Sequence, residues 1–166
     1  MASTLEHYLT LLGDLDPIEV LQATPAHLSA LLETSSPDDW DRPWAPGKWT
    51  GRQILAHLAD VEVGMGFRIR QTVSTPGLAV QAFDQDAWSR PYARLDPALA
   101  VEAFRALRAW NLALFANLTL EDWLAEGFHP ERGFESVDVI VRMLAGHDLN
   151  HLTQLGVDGS GRMGRG

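Results

Sequence analysis

The sequence predicts an all-α fold, a four-helix bundle. Three observations support this: apolar residues recur at helical spacing in four long segments, helix-start signals precede those segments, and alternation of period two is absent over any useful length. Four principal helices joined by short and long connections are typical of a bundle. With 166 residues, we expect one domain over residues 1–155 and a flexible, glycine-rich tail over 156–166.

The first predicted helix opens with Asp16 as N-cap, Pro17 at the first helical position and Glu19 in the first turn, and runs to about Thr34. Pro25 removes one backbone donor inside it, so we expect the helix to kink or split there. A short helical turn then begins at Ser36-Pro37, before a loop over residues 40–49 that contains proline and glycine.

The second predicted helix starts at the capping box Thr50-Gly51-Arg52-Gln53 and extends to about Thr72. Its apolar stripe consists of Ile54, Leu58, Val61, Met65 and Ile69. Residues 74–95 form a long connection between the second and third helices, with one helical turn expected around residues 83–88. A connection this long in a compact domain is often a crossover or functional.

The third helix begins at Asp96-Pro97, and a short helix follows from Thr119 to a stop at Gly127. We expect a loop over residues 128–135, after which Ser136 caps the last helix. The inward stripe of that helix reads Val137, Ile140, Leu144, His147, His151 and Gln154.

Composition narrows the function classes. There are no cysteines, so only histidine, aspartate and glutamate remain as strong metal ligands. The net charge of −9 argues against nucleic acid and anionic membranes as partners. No apolar run approaches the roughly 18–20 residues of a membrane span, and residues 1–12 do not resemble a signal peptide. A cytoplasmic location is the expectation.

His147 and His151 are the main candidates for chemistry. Their four-residue spacing turns both imidazoles to one face, one turn apart, as two ligands of one metal ion require. That face continues the apolar stripe, where an unpartnered polar ring is costly. Two interpretations stay open from these residues alone: a metal site in the bundle core, or buried neutral histidines satisfied by hydrogen bonds.

His57 is the candidate third ligand, one position off the apolar stripe of the second helix, although a half-buried histidine is the alternative. Asp60, one turn along, could hydrogen-bond the free ring nitrogen of His57. Asp148 and Gln154 are further candidates for an outer shell that orients the ligand rings, with a capping or surface role as the alternative for Asp148.

Three further polar residues receive a surface interpretation. His129 lies in a predicted loop that could reach a bundle mouth, although a surface position is favoured. Arg108 and Asn111 share a face of the third helix, where they could bind an anion or pair at the surface. We expect all three to be solvent-exposed.

The chain resembles the DinB/YfiT-like superfamily. Two segments carry the most specific similarity: residues 53–62, which contain His57, and residues 146–154, which contain His147 and His151. Residues 46–50, 83–88 and 128–133 are less specific matches. The resemblance implies a four-helix bundle in up-down-down-up order. It also implies a divalent metal, zinc or nickel, held by His57, His147 and His151. Family dimers are common, which makes a homodimer the expected assembly.

Relatives in this superfamily include S-transferases and isomerases that use low-molecular-weight thiols such as bacillithiol or mycothiol. The leading hypothesis is therefore a metal-dependent S-transferase that activates such a thiol for attack on a small-molecule substrate. Because the chain lacks cysteine, the thiol must come from a cosubstrate. The alternatives are a metal-dependent hydrolase and a non-enzymatic, metal-stabilised dimeric bundle that acts as a scaffold or small-molecule binder.

Overall fold

The structure, a computed structural model, describes residues 4–82 and 84–157. Phe83 and the predicted tail beyond residue 157 lie outside the described residues. The elements in chain order are α1 (Thr4–Leu12), α2 (Pro17–Thr34), α3 (Gly51–Ser74), α4 (Gln85–Ser89), α5 (Pro97–Phe115), α6 (Leu120–Leu124), β1 (Glu126–His129), β2 (Gly133–Ser136) and α7 (Val137–Gln154), with single 3₁₀ turns at Pro37–Asp41 and Tyr92–Arg94.

Capping side chains fix the starts of the bundle helices where the sequence predicts them. The Asp16 carboxylate accepts a hydrogen bond from the backbone of Ile18 at 2.7 Å. At α3, Thr50 and Gln53 exchange side-chain-to-backbone bonds of 2.9 and 3.4 Å, which is a complete capping box. Each cap satisfies backbone donors that have no partner inside the helix, so these residue types start helices here.

The four long helices α2, α3, α5 and α7 form the bundle in up-down-down-up order. Hydrogen bonds join Arg52 to the carbonyl of Leu95 at one end, and Arg70 to Asn111 further along. Because both sequence numbers rise together, α3 and α5 run parallel. Parallel neighbours need a crossover, which residues 75–96 supply; the predicted connection covers residues 74–95.

The core consists of two apolar clusters. One includes Leu12, Leu21, Val61, Met65, Ile69, Phe115 and, from α7, Val137, Ile140, Val141, Met143, Leu144 and Ala145; the other includes Leu28, Leu31, Trp40, Ile54, Leu55, Leu58, Phe104 and Leu152. On α7 the buried polar residues His147, Asp148 and His151 separate the two clusters. Within the described ranges, no helix is both long and apolar enough to cross a bilayer.

Two elements differ from the prediction. The expected loop over 128–135 is a β-hairpin, in which Phe128 pairs with Phe134 and His129 with Gly133. Each strand has four residues, which is too short for an alternation of apolar and polar residues to be recognised in the sequence. The unpredicted α1 packs against α7 so closely that a Cβ on Gly146 would lie 2.0 Å from the Tyr8 carbonyl oxygen.

Pro25 does not interrupt α2, which runs continuously from Pro17 to Thr34. A proline at this position leaves the carbonyl of Leu21, four residues earlier, without its helical donor. The guanidinium of Arg108 supplies that donor, with Nη1 at 2.9 Å from the Leu21 oxygen. A side chain from α5 therefore compensates for the proline.

Candidate metal centre

Three histidines meet in the bundle core. His57 comes from α3, and His147 and His151 come from successive turns of α7. All three are buried, and each offers one ring nitrogen within 4.8 Å of the others. The Nε2 atom of His147 lies 2.9 Å from that of His57 and 3.1 Å from that of His151.

The donor set fits a tetrahedral divalent ion. Nitrogen ligands at about 2.0–2.1 Å from such an ion, at tetrahedral angles, stand about 3.3 Å from each other. The observed separations of 2.9 and 3.1 Å are close to this value. Each ring nitrogen can serve only as donor or as acceptor, so the single Nε2 of His147 cannot make two full hydrogen bonds of this kind. A shared ion would satisfy all three nitrogens together.

The three rings are held in the neutral form that metal binding needs. Burial, with a smaller contribution from His151, lowers the pKa of His57 to about 3. Burial also lowers the pKa of His147 well below its usual value, and the neighbouring histidines add to this effect. For His151 burial again lowers the pKa, partly offset by Gln154 and Asp148. Neutral imidazole is the ligating species, so the protein needs no proton release to form the site.

Gln154 orients His151. Its Oε1 lies 2.8 Å from Nδ1 of the ring, so the proton sits on Nδ1 and the lone pair of Nε2 faces the other histidines. Around His57, the ring of Trp49 lies 4.9 Å away, and the Tyr92 ring 6.4 Å away. Asp60 belongs to this group, since its carboxylate accepts a 2.8 Å hydrogen bond from the Tyr92 hydroxyl. Its predicted bond to the His57 ring stays a prediction.

Asp148, a predicted outer-shell residue, is bound by Arg108. Both of its carboxylate oxygens accept hydrogen bonds from Arg108, at 2.7 and 3.2 Å. The same guanidinium donates to Glu62 at 2.7 Å, and Asn111 donates to the other Glu62 oxygen at 3.0 Å. The surface expectation for Arg108 and Asn111 is therefore wrong: they are 0% and 3% exposed.

The Arg108 network ties together the helices that carry the histidines. It joins α2, α3, α5 and α7 through Leu21, Glu62, Arg108 and Asp148. Burial lowers the pKa of this guanidinium, but attraction to Asp148 and Glu62 outweighs it and raises the pKa overall. Because Asp148 directly follows His147, the network fixes the position of that turn of α7 relative to His57.

A cavity of about 220 Å³ opens beside His57 and His147. Its walls come from α1, α3 and α7, from the connection before α4 and from the β-hairpin, with Tyr8, Arg68, His129 and Arg132 among the lining residues. His129 is 2% exposed, so its predicted surface position is wrong. The hairpin, which the sequence did not reveal, folds it inward.

Sequence reasoning missed several residues of this cavity. Tyr8 packs edge-on against His147 with ring centroids 5.3 Å apart, but α1 itself was not predicted. Arg68 is 4% exposed and shares a face of α3 with His57, which is the signal that could have singled it out.

The chain is similar to known proteins over most of its length. A family model for the DinB superfamily matches residues 21–155. The Bacillus subtilis (strain 168) protein named "Putative metal-dependent hydrolase YfiT" is 28% identical over 153 residues, covering 89% of this chain and 84% of that protein. A Bacillus cereus (strain ATCC 10987 / NRS 248) protein named "Putative metal-dependent hydrolase" is 22% identical over 139 residues, covering 83% and 80%.

Solved structures show the same fold. YfiT from Bacillus subtilis, described as "a probable metal-dependent hydrolase with an unusual four-helix bundle topology", superposes with a TM-score of 0.79 at 25% identity, over 84% of this chain and 81% of that one. A mycothiol-dependent maleylpyruvate isomerase superposes with a TM-score of 0.68 over 94% of this chain and 64% of that one. At 15% identity, the second similarity is one of fold alone.

Proposed function

The chain belongs to the DinB superfamily, and from this membership we propose that it is a metal-dependent enzyme. In this proposal His57, His147 and His151 hold one zinc or nickel ion. The observation that carries it is the convergence of three buried, neutral Nε2 atoms at a separation that suits a shared ion. The proposal of a metal-dependent enzyme is also supported by relatives whose names describe them as metal-dependent.

We further propose that the enzyme is an S-transferase that activates a low-molecular-weight thiol. A bound zinc-like ion supplies Lewis acidity, which lowers the pKa of a thiol that reaches it. Three protein ligands leave a position open for such a group. The chain has no cysteine of its own, so the thiol is a cosubstrate, as in a bacillithiol-like reaction.

The chain's own residues orient the ligand rings, shield them from water and leave room for a small molecule. Gln154 keeps the proton of His151 on Nδ1. Trp49 and Tyr8 pack against His57 and His147, which limits the access of water to the ligand rings. The adjoining cavity, with a volume of about 220 Å³, has room for a small molecule beside the site.

Metal-dependent hydrolysis is the second candidate, because relatives of this chain carry that name. A hydrolase benefits from a general base next to the water it activates. Among the described residues that line the cavity, Glu131 is the one carboxylate that could act as this base, and it is exposed. Glu62 and Asp148 are engaged by Arg108. A thiol that ionises on binding does not need such a base, which favours the transferase.

One experiment separates the two reactions. Metal-loaded protein is mixed with a chromogenic electrophile, 1-chloro-2,4-dinitrobenzene, with and without bacillithiol or cysteine, and separately with p-nitrophenyl acetate. The transferase proposal expects thiol-dependent conjugation that is lost in His57→Ala. Ester hydrolysis without any thiol, lost in the same variant, would support the hydrolase and overturn the transferase. Circular dichroism confirms that the variant is folded.

The non-enzymatic alternative and the homodimer are tested separately. A metal-stabilised scaffold or binder predicts that chelation lowers the melting temperature while no thiol or ester is turned over. We propose a homodimer as the assembly, because the family resemblance implies it. Light scattering coupled to size exclusion should then give twice the mass of the 18.3 kDa chain, and a monomer at micromolar concentration would exclude it.

A further inference from the structure

Arg68 is a buried cation that no carboxylate neutralises in the described part of the chain. It is 4% exposed, and its one hydrogen bond there runs from Nη2 to the Gln81 carbonyl at 3.1 Å. Its Nε is buried and makes no hydrogen bond with a described residue. Arg108, equally buried, binds two carboxylates. Burying a charge without a partner is costly, so Arg68 calls for an explanation.

The surroundings of Arg68 leave positive charge uncompensated. Burial lowers the pKa of its guanidinium, Arg132 lowers it further, and Glu135 offsets part of this. Glu135 is engaged by Arg132, whose Nε and Nη2 both donate to its carboxylate. His129 adds no charge, because burial and the two arginines lower its pKa. Glu131 also lines this end of the cavity, but it is exposed, so water screens its charge. Arg68 is therefore the buried cation here that forms no ion pair with a described carboxylate.

The cavity connects this charge to the histidines. His57, Val61, Met65 and Arg68 all line it and share one face of α3, spanning three turns or about 16 Å of helix. The α7 wall between the two ends is apolar, formed by Met143 and Leu144. The cavity therefore has a cationic end, an apolar middle and a histidine end.

The size of the cavity limits its ligand. The volume of about 220 Å³ lies below the range of about 300–1,000 Å³ that is typical of sites for drug-sized ligands. The ligand that fits is a small molecule rather than a peptide or a nucleotide.

We propose that this cavity binds a small carboxylate with an apolar body, its carboxylate held by Arg68 and its other end directed at the three histidines. The planar guanidinium fork matches a carboxylate in geometry, and a bound carboxylate would neutralise the buried charge of Arg68. The carboxylate site stands on Arg68 alone; that the bound molecule is a substrate rests on the proposed function.

Benzoate and its neutral counterpart benzamide are matched probes for this site. Isothermal titration with metal-free protein is expected to show benzoate binding about tenfold to a hundredfold more tightly than benzamide, the range for a charge-assisted hydrogen bond. Arg68→Met should remove this preference, and Arg68→Lys should keep part of it. Arg142→Met, which removes the same charge from a half-exposed ion pair on α7, should leave it unchanged.

Other outcomes overturn the inference. Equal binding of benzoate and benzamide, or a preference that survives in Arg68→Met, excludes a carboxylate site at this residue. Inorganic phosphate that displaces benzoate at equal concentration would assign the site to phosphate instead. Arg68→Met should melt no lower than wild type, because it removes an unneutralised buried charge; a large loss of stability would mean that Arg68 is structural.

The inference and the proposed function fail separately. Wild-type protein without stoichiometric metal would end the proposed function, while the Arg68-dependent preference for benzoate remains measurable in metal-free protein. Metal-containing protein with no such preference would end the carboxylate inference and leave the metal centre intact.

Discussion

Replacing Arg108 by methionine tests the interpretation of the buried polar network. The guanidinium is 0% exposed and donates to Asp148 and Glu62 at 2.7 Å each, and to the Leu21 carbonyl at 2.9 Å. Arg108→Met keeps much of the side-chain volume but leaves two buried carboxylates and one backbone carbonyl without their donor. The substitution therefore isolates the loss of the charge and the hydrogen bonds.

The expected cost is large. Removing one partner of a buried ion pair typically costs about 3–5 kcal/mol, because the remaining charge stays buried without compensation. With about 5–15 kcal/mol as the usual stability of a domain, the variant would lose about a fifth or more of it. The melting temperature would fall by about 6–20 °C for a chain of this size.

The assay is urea unfolding followed by tryptophan fluorescence, with Arg142→Met as the matched control. Arg142 pairs with Asp138 on α7, but both side chains are more than 40% exposed, so this variant should lose only about 0–1 kcal/mol. A loss below about 1 kcal/mol in Arg108→Met, similar to the control, would refute the role given to the network.

The link to Pro25 adds a second test of the same reasoning. In the Arg108→Met background, Pro25→Ala restores a backbone donor to the Leu21 carbonyl. We expect a favourable coupling of about 1 kcal/mol in the double-mutant cycle, the usual contribution of one hydrogen bond. Simple additivity of the two variants would show that Arg108 does not compensate for the proline.

Three further predictions concern the site and its supports. Gln154→Leu should weaken metal binding by about 10–100-fold, measured by competition with a chromophoric chelator, because His151 loses its orienting acceptor; unchanged affinity would deny Gln154 that role. Gly146→Ala should cost about 1–3 kcal/mol and speed amide exchange in α1, because the new Cβ would meet the Tyr8 carbonyl; wild-type exchange would count against the close packing of α1 on α7. Chelation should lower the melting temperature by about 5–10 °C, as expected for loss of a ligand present at 100 times its dissociation constant; an unchanged melting curve would show that the ion does not stabilise the fold.

Local signals made the helices predictable. Each of the four bundle helices begins after the N-cap residue that the sequence predicts. These N-caps are Asp16, Thr50, Asp96 and Ser136. Capping depends on side chains and backbone within four residues, so the sequence contains all of its determinants. The convergence of His57 with His147 and His151 was also predictable, because each lies on or next to an apolar stripe.

Long-range contacts explain what the sequence did not reveal. Arg108 is buried because Glu62 and Asp148, about 40 residues away on either side, neutralise it. The hairpin that carries His129 pairs on its outer side with residues of the long connection, through bonds between Phe128 and both Leu78 and Val80. Neither partnership has a local signature, which is why Arg108 and His129 were expected at the surface.

The central claim, a metal ion on three histidines, is tested most directly by elemental analysis of protein purified without a polyhistidine tag. We predict about one zinc or nickel ion per chain in the wild type, and loss of most of it in His57→Ala and in His151→Ala. His27→Ala, a histidine of α2 outside the cluster, should retain the wild-type content. Wild-type protein without stoichiometric metal, or a content unchanged in the His57 and His151 variants, would contradict the claim.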